Sequence, residues 1–175
     1  MLTTPPMLQN DIEFKQLLDL YLERRPRRVL EVGVGEGGTL YHWLQHARDG
    51  ATVVALDDKH VNADQYDEWT PDGVRLVALV GDSRELGSVL GAAAHGLYDW
   101  TFIDADHHDQ AVRADWDNYS PMAAPGGVIV LHDVHPSDDP TIEVDALWRE
   151  LEAVYETATY GVPGGPGIGV VWVAS

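Results

Sequence analysis

From Arg27 to Leu40 the chain reads Arg-Arg-Val-Leu-Glu-Val-Gly-Val-Gly-Glu-Gly-Gly-Thr-Leu, and this stretch leaves a polypeptide little choice of fold. Val29, Leu30 and Val32 form a short apolar run with the pattern of a buried strand. Leu40 to Ala47 has helical spacing, so the four glycines between them fill a strand-to-helix turn. Gly33 and Gly35 can take backbone angles closed to other residues. Without side chains they let a ligand approach the main chain and the positive end of the following helix. The plain alternative is a tight turn that binds nothing.

Gly33, Gly35 and Gly38 also satisfy the dinucleotide spacing G-x-G-x-x-G, a weak signal by itself. Glu31 sharpens it. An acid two residues ahead of the first glycine would repel a pyrophosphate and attract a cationic ligand.

Downstream, apolar runs at Thr52–Leu56, Val74–Val80, Tyr98–Ile103 and Val128–Leu131 read as further buried strands. Helical spacing is predicted over about 8–24 (Leu8, Ile12, Leu17, Leu18, Tyr21 and Leu22, stopped by Pro26), over 84–94, through Ala111, Val112, Trp116 and Tyr119, and through Ile142, Ala146, Leu147, Leu151 and Val154. Tyr155–Tyr160 and Ile168–Val173, joined by a glycine-proline loop, read as an antiparallel hairpin. An all-parallel dinucleotide sheet would not end this way.

The strand ends carry the polar residues. Thr52–Leu56 leads into Asp57-Asp58, and Asp57 lies 22 positions beyond Gly35. An acid at this offset can accept hydrogen bonds from ribose hydroxyls, with Asp58 as second choice and a turn or cap as the bland reading. Gly81-Asp82-Ser83 closes the next strand, where Asp82 or Ser83 could equally cap a helix. Ligands of open α/β sheets lie outside the carboxyl ends of the strands, so Asp104, Asp106, His107 and His108 should share a crevice with His132, Asp133 and His135. His42 and His46, one helical turn apart, have no third ligand nearby and read as a surface pair.

At 175 residues the chain is most simply one domain spanning 1–175, with residues 1–26 supplying a helix packed on the core. Its formal charge is −18, from 29 acidic against 11 basic side chains, which disfavours nucleic acids and anionic membranes as partners. Cysteine is absent, excluding disulfides, thiolate metal sites and a cysteine nucleophile. Neither a signal-peptide pattern nor a run of roughly 18 apolar residues is present, and a cytoplasmic location is expected.

Taken in order, the run Glu31-x-Gly33-x-Gly35-x-Gly37, Asp57, the Gly-Asp-Ser at 81–83 and the terminal hairpin resemble the class I S-adenosylmethionine (SAM)-dependent methyltransferases. The resemblance implies a Rossmann-like α/β fold: a seven-stranded, mostly parallel sheet with a C-terminal antiparallel hairpin and helices on both faces. It implies SAM as cofactor, held by Glu31, Gly33, Gly35, Gly37 and Thr39, by Asp57 at the ribose, by Asp82 and Ser83 at the adenine, and by Asp104.

Phe-Ile-Asp104-Ala-Asp-His107 together with Pro125-Gly-Gly-Val-Ile-Val-Leu-His132-Asp133 resembles the metal-assisted small-molecule O-methyltransferases of the catechol, macrolide-sugar and cephalosporin-hydroxylase-like branches. By that likeness Asp104, His132 and Asp133 would hold a magnesium-like ion, Mg²⁺ or Mn²⁺, with Asp104 and His107 catalytic and His107 the general base. His132 departs from the pattern, since an acid is usual there. An imidazole suits manganese, iron or zinc better than magnesium. It could instead be a second base, or bond Asp104 in a metal-free site.

The expected activity is methyl transfer to a hydroxyl of a small molecule, sugar or phenol-like, by a protein that completes its pocket as a homodimer. The competing readings are an NAD-dependent oxidoreductase, supported by the glycine spacing and Asp57 alone, and a SAM-binding module without turnover.

Overall fold

The computed structural model describes residues 4–175. Met1–Thr3, on which the reading of the N-terminal segment partly rests, lie outside the described residues.

The first helix, α1 (Asp11–Arg24), begins where the Asn10 side chain accepts the Ile12 amide at 2.9 Å, with Asp11 and Glu13 in its first turn. It ends at Arg25, in left-handed conformation, just before Pro26. The face it buries is Glu13, Phe14, Leu17 and Tyr21. Part of the predicted apolar stripe is therefore corrected: Leu8 precedes the helix, and Leu8, Ile12 and Leu22 are exposed. At about 100° per residue, Ile12 and Leu22 point away from the Phe14–Leu17–Tyr21 stripe.

Strands β1 (Arg28–Val32), β2 (Thr52–Asp57), β3 (Arg75–Val80), β4 (Tyr98–Ile103), β5 (Ala123–His132), β6 (Glu156–Tyr160) and β7 (Ile168–Trp172) form one sheet in the order β3-β2-β1-β4-β5-β7-β6. The first five run parallel, and β7 lies antiparallel between β5 and β6. The predicted sheet and its closing hairpin are thus present. β5 starts earlier than its apolar run because Ala123 already pairs with Tyr98, and a register shift then sets Val128 opposite Trp100.

Helices cover both faces. On one, α1, α2 (Gly38–Gln45) and the short α3 (Tyr66–Trp69) pack on Val29, Val53, Trp100 and Val128. On the other, α4 (Leu86–Ala93), α5 (Asp109–Tyr119) and α6 (Val144–Glu152) pack on Leu30, Val54, Ile129 and Leu131. Aromatic rings knit the first layer, with Tyr21 and Trp43 centroids 4.8 Å apart and the Tyr21 hydroxyl donating to the Trp43 carbonyl. In α6 the buried stripe is Val144, Leu147, Trp148 and Leu151, while Val154 is exposed beyond the helix end. Among the described residues no helix is long and apolar enough to cross a membrane.

Candidate active site

A cavity of about 710 Å³ opens at the carboxyl edge of the parallel strands. It is walled by the glycine turn, the ends of β2, β3, β4 and β5, the segment Pro6–Gln9 and Pro166 from the β6–β7 loop.

The four glycines divide the work of the turn. Gly33 has φ +87°, and a Cβ there would collide with the Asp104 carbonyl, so this glycine lets β1 and β4 end side by side. Gly35 has φ +53° and nothing within 4 Å of where its Cβ would stand. It is the glycine that faces open space. Gly37 backs onto the Trp69 ring and Gly38 onto Pro6 and Met7, so both serve packing.

Asp57 reaches into the turn. Its Oδ2 accepts the amides of Val34 at 2.6 Å and Gly35 at 3.0 Å, and its Oδ1 accepts that of Lys59 at 2.8 Å. Burial opposes its charge, but these three donors outweigh that and hold the carboxyl below its usual range. Two amides of the turn are thus committed to a carboxylate.

Glu31 is fully buried and stands behind the cavity wall, taking a hydrogen bond from the Thr39 hydroxyl. Burial pushes its carboxyl well above the ordinary value, with Asp104 and Asp57 adding to the rise against the Thr39 bond. Thr39 itself lines the cavity.

Asp82 and Ser83 line it too, though neither caps α4, which starts at Leu86. Asp82 grips the Arg84 guanidinium through both oxygens, at 2.9 and 2.8 Å, and accepts the Arg84 amide. Those bonds hold its carboxyl down at about 2. The Ser83 carbonyl accepts the Tyr119 hydroxyl at 2.6 Å.

Of the polar residues crowding the ends of β4 and β5, four converge. His107 Nε2 lies 3.0 Å from Asp104 Oδ1 and 3.3 Å from Asp133 Oδ2. His132 Nδ1 lies 3.3 Å from the first oxygen and 3.2 Å from the second. Among the described residues this is the one group of three or more such side chains whose ligand atoms lie close enough, within 4.8 Å of one another, to hold a metal ion.

Burial works against the charge on His132, but Asp104 and Asp133 overcome it and raise the imidazole to about 10. Asp104 is likewise disfavoured by burial, yet His132 and His107 drive it far below the carboxylate range. Asp133 sits at φ +59°, uncommon for a non-glycine residue, with its carboxylate against the His132 and His107 imidazoles.

The other three diverge. His108 pairs with Asp106 at 2.7 Å, and His135 Nδ1 meets the Gly165 carbonyl at 2.9 Å, bracing the β6–β7 loop. His42 and His46 stack on each other with ring centroids 5.8 Å apart. Sequence reasoning missed Gln9, whose Nε2 donates to Asp104 Oδ2 at 2.6 Å across 95 residues. No local pattern marks it. It also missed Glu13, which is buried and accepts the Val162 amide of the β6–β7 loop at 3.1 Å.

A parallel sheet reversed by one antiparallel strand near its end is the Rossmann-like methyltransferase fold. Residues 30–134 match the family described as methyltransferase domain, and the chain belongs to it. It is similar in fold to an O-methyltransferase from Bacillus cereus solved with S-adenosylhomocysteine (TM-score 0.72, 20% identity, covering 97% of this chain and 84% of that one). It is similar also to a methyltransferase from Geobacter sulfurreducens (TM-score 0.69, 20% identity, 97% and 81%). A third similar structure is the MycE methyltransferase of mycinamycin biosynthesis, solved with Mg, S-adenosylhomocysteine and mycinamycin VI (TM-score 0.65, 19% identity, 91% and 49%). No functionally curated protein matches.

Proposed function

We propose that this chain is a SAM-dependent O-methyltransferase acting on a small hydroxylated molecule, sugar or phenol-like, with a divalent ion at the β4–β5 edge. The observation that carries the reading is the placement of Asp104, His107, His132 and Asp133 across one cleft from an open glycine turn.

The cleft suits a cation. Seven carboxylates line it, Asp57, Asp82 and Asp104 among them, against Lys59, Arg84 and the His107 and His132 imidazoles, and such an acidic excess raises the local concentration of positively charged ligands. A volume of about 710 Å³ is of the size that holds a cofactor together with a small acceptor. Gly33, Gly35 and Thr39 would shape the floor beneath the sulfonium compound, with Gly37 supporting the turn from behind against Trp69 and Glu31 buried behind them. Asp57 would face the ribose, while Asp82 and Ser83 would face the adenine. Two carboxylate oxygens and an imidazole nitrogen from Asp104, Asp133 and His132 form a donor set that fits a divalent cation.

Bound there, SAM would supply an electrophilic methyl group, and the ion a positive charge that eases loss of a proton from a neighbouring hydroxyl. The residues' share is to orient that hydroxyl and take charge of its proton. We assign this to Asp104 and His107, since His107 has the most exposed side chain of the four, at 30%.

The whole of 1–175 is taken as one such domain, working in the cytoplasm without nucleic acid or membrane as partner, in keeping with its charge of −18. A second copy is the proposed macromolecular partner. The exposed Val80, Leu86 and Leu90 beside the β3 edge supply apolar surface for it, and sedimentation would decide the oligomeric state.

The function is tested by titrating the protein with SAM and, separately, with NAD, then following label from methyl-labelled SAM into a panel of hydroxylated compounds. Saturable SAM binding with label in an ether product is expected. Binding of NAD alone would overturn the reading, and SAM binding without transfer to any acceptor would leave the binding-module alternative.

A further inference from the structure

The four side chains at the β4–β5 edge do not divide into three ligands and a neighbour. The two nitrogens and two oxygens alternate around a ring whose four sides run only from 3.0 to 3.3 Å, and by distance His107 belongs to it as fully as His132. Two ligands each about 2.0–2.2 Å from one ion stand about 2.8–3.6 Å apart, from right-angled to tetrahedral geometry. Resting on the reading above and revising it at one residue, we infer that His107 is a fourth ligand, and that Asp104, His107, His132 and Asp133 form a two-histidine, two-carboxylate centre for Mn²⁺, Fe²⁺ or Zn²⁺ in preference to Mg²⁺.

Three further observations support this. His107 Nε2 faces the two carboxylates, the direction a ligand nitrogen must take. The same two oxygens, Asp104 Oδ1 and Asp133 Oδ2, serve both imidazoles, and the ligand atoms of the four residues all lie within 4.8 Å of one another. The second oxygen of Asp104 is taken by Gln9 at 2.6 Å, which fixes the carboxylate with Oδ1 inward, as outer partners of metal ligands do. The metal preference follows from donor chemistry. Magnesium takes hard oxygen ligands and keeps several waters, while two imidazoles favour the borderline transition cations.

The test uses the full chain without SAM or acceptor. Equilibrium dialysis against Mn²⁺, Zn²⁺ and Mg²⁺ separately, followed by elemental analysis, should give one Mn²⁺ or Zn²⁺ per chain, with Mg²⁺ at least about 100-fold weaker. His107→Ala, checked for folding by circular dichroism, should lower Mn²⁺ or Zn²⁺ affinity by at least about tenfold. On the wild-type protein loaded with Cu²⁺ as a probe, electron-spin-echo modulation should count two imidazoles. That count stands even if the variant does not fold.

A single imidazole in the wild-type protein, Mg²⁺ binding as tightly as Mn²⁺, or unchanged metal affinity in folded His107→Ala would overturn the inference. SAM affinity of the wild-type protein, measured separately, shows whether the broader reading has failed instead.

Discussion

Asp57 at the end of β2 holds the Val34 amide at 2.6 Å, and through it fixes the turn that follows β1. One carboxylate therefore shapes the loop and, on the proposed function, also meets the cofactor ribose. Asp57→Asn keeps the shape of the side chain but removes its charge. Each charge-assisted hydrogen bond so weakened is worth about 1.5–3 kcal/mol, so SAM affinity measured by calorimetry should fall at least tenfold. Unaltered affinity would show that Asp57 serves the loop alone.

Gly33 and Gly35 should respond differently to alanine. At Gly35 the added methyl meets nothing within 4 Å, so the penalty is the left-handed backbone alone, about 1–2 kcal/mol, while the methyl intrudes on the ligand space. SAM binding should be lost from a protein that still melts cooperatively. At Gly33 the methyl also strikes the Asp104 carbonyl, adding about 1–3 kcal/mol of overpacking. Denaturant unfolding of the two variants separates them, and equal stabilities would contradict the close approach of β1 and β4.

Replacing His107 by glutamine should abolish transfer and spare the cofactor. His107 belongs to the acceptor side of the cleft, so whether it handles the proton or holds the ion, methyl transfer should drop at least about 100-fold, with SAM affinity within about twofold of wild type. Wild-type turnover in His107→Gln would remove this residue from the mechanism.

Asp115 on α5 gives a pH signature independent of activity. It is fully buried. Burial pushes it up to about 6, against the opposing Ser83 side chain and Arg84, with Asp82 and Asp106 adding to the rise. An acid raised in the folded state binds its proton more tightly there than in the unfolded chain, where the value is about 3.9. Stability from this group is therefore full below about pH 4 and declines as pH climbs through about 6. The loss at neutral pH is at most about 3 kcal/mol, from roughly two pK units at 1.36 kcal/mol each. Asp115→Asn should melt higher than wild type at pH 8 and at the same temperature at pH 4. No change in that difference across the range would show that Asp115 stays ionised.

Much of the fold was legible because its signals are local. Val29, Leu30 and Val32 followed by four glycines announce a strand, a turn and a helix within a dozen residues, and the hairpin at 156–172 carries its own glycine-proline loop. Helix faces were less so. Ile12 and Leu22 read as inward although Phe14 and the charged Glu13 are what α1 buries, because a few leucines on one helix fit more than one stripe.

At the site, sequence order placed Asp104, His107, His132 and Asp133 at neighbouring strand ends. The direction of each side chain was not available from it. His108 and His135 look as well placed in sequence, yet they turn to Asp106 and to Gly165. Gln9 joins Asp104 only through tertiary packing of the segment ahead of α1, and no spacing rule reaches across that distance.

The missing methyl at Gly33, through which the backbone of Asp104 passes, also bears on how such a chain can be inherited. The loop proposed for the cofactor and the strand end proposed for the acceptor touch main chain to main chain, a contact any homologous segment can make provided it brings glycine to position 33. Shuffled chimeras that keep this glycine should fold with a β4 end from either parent, and those that bring another residue there should not.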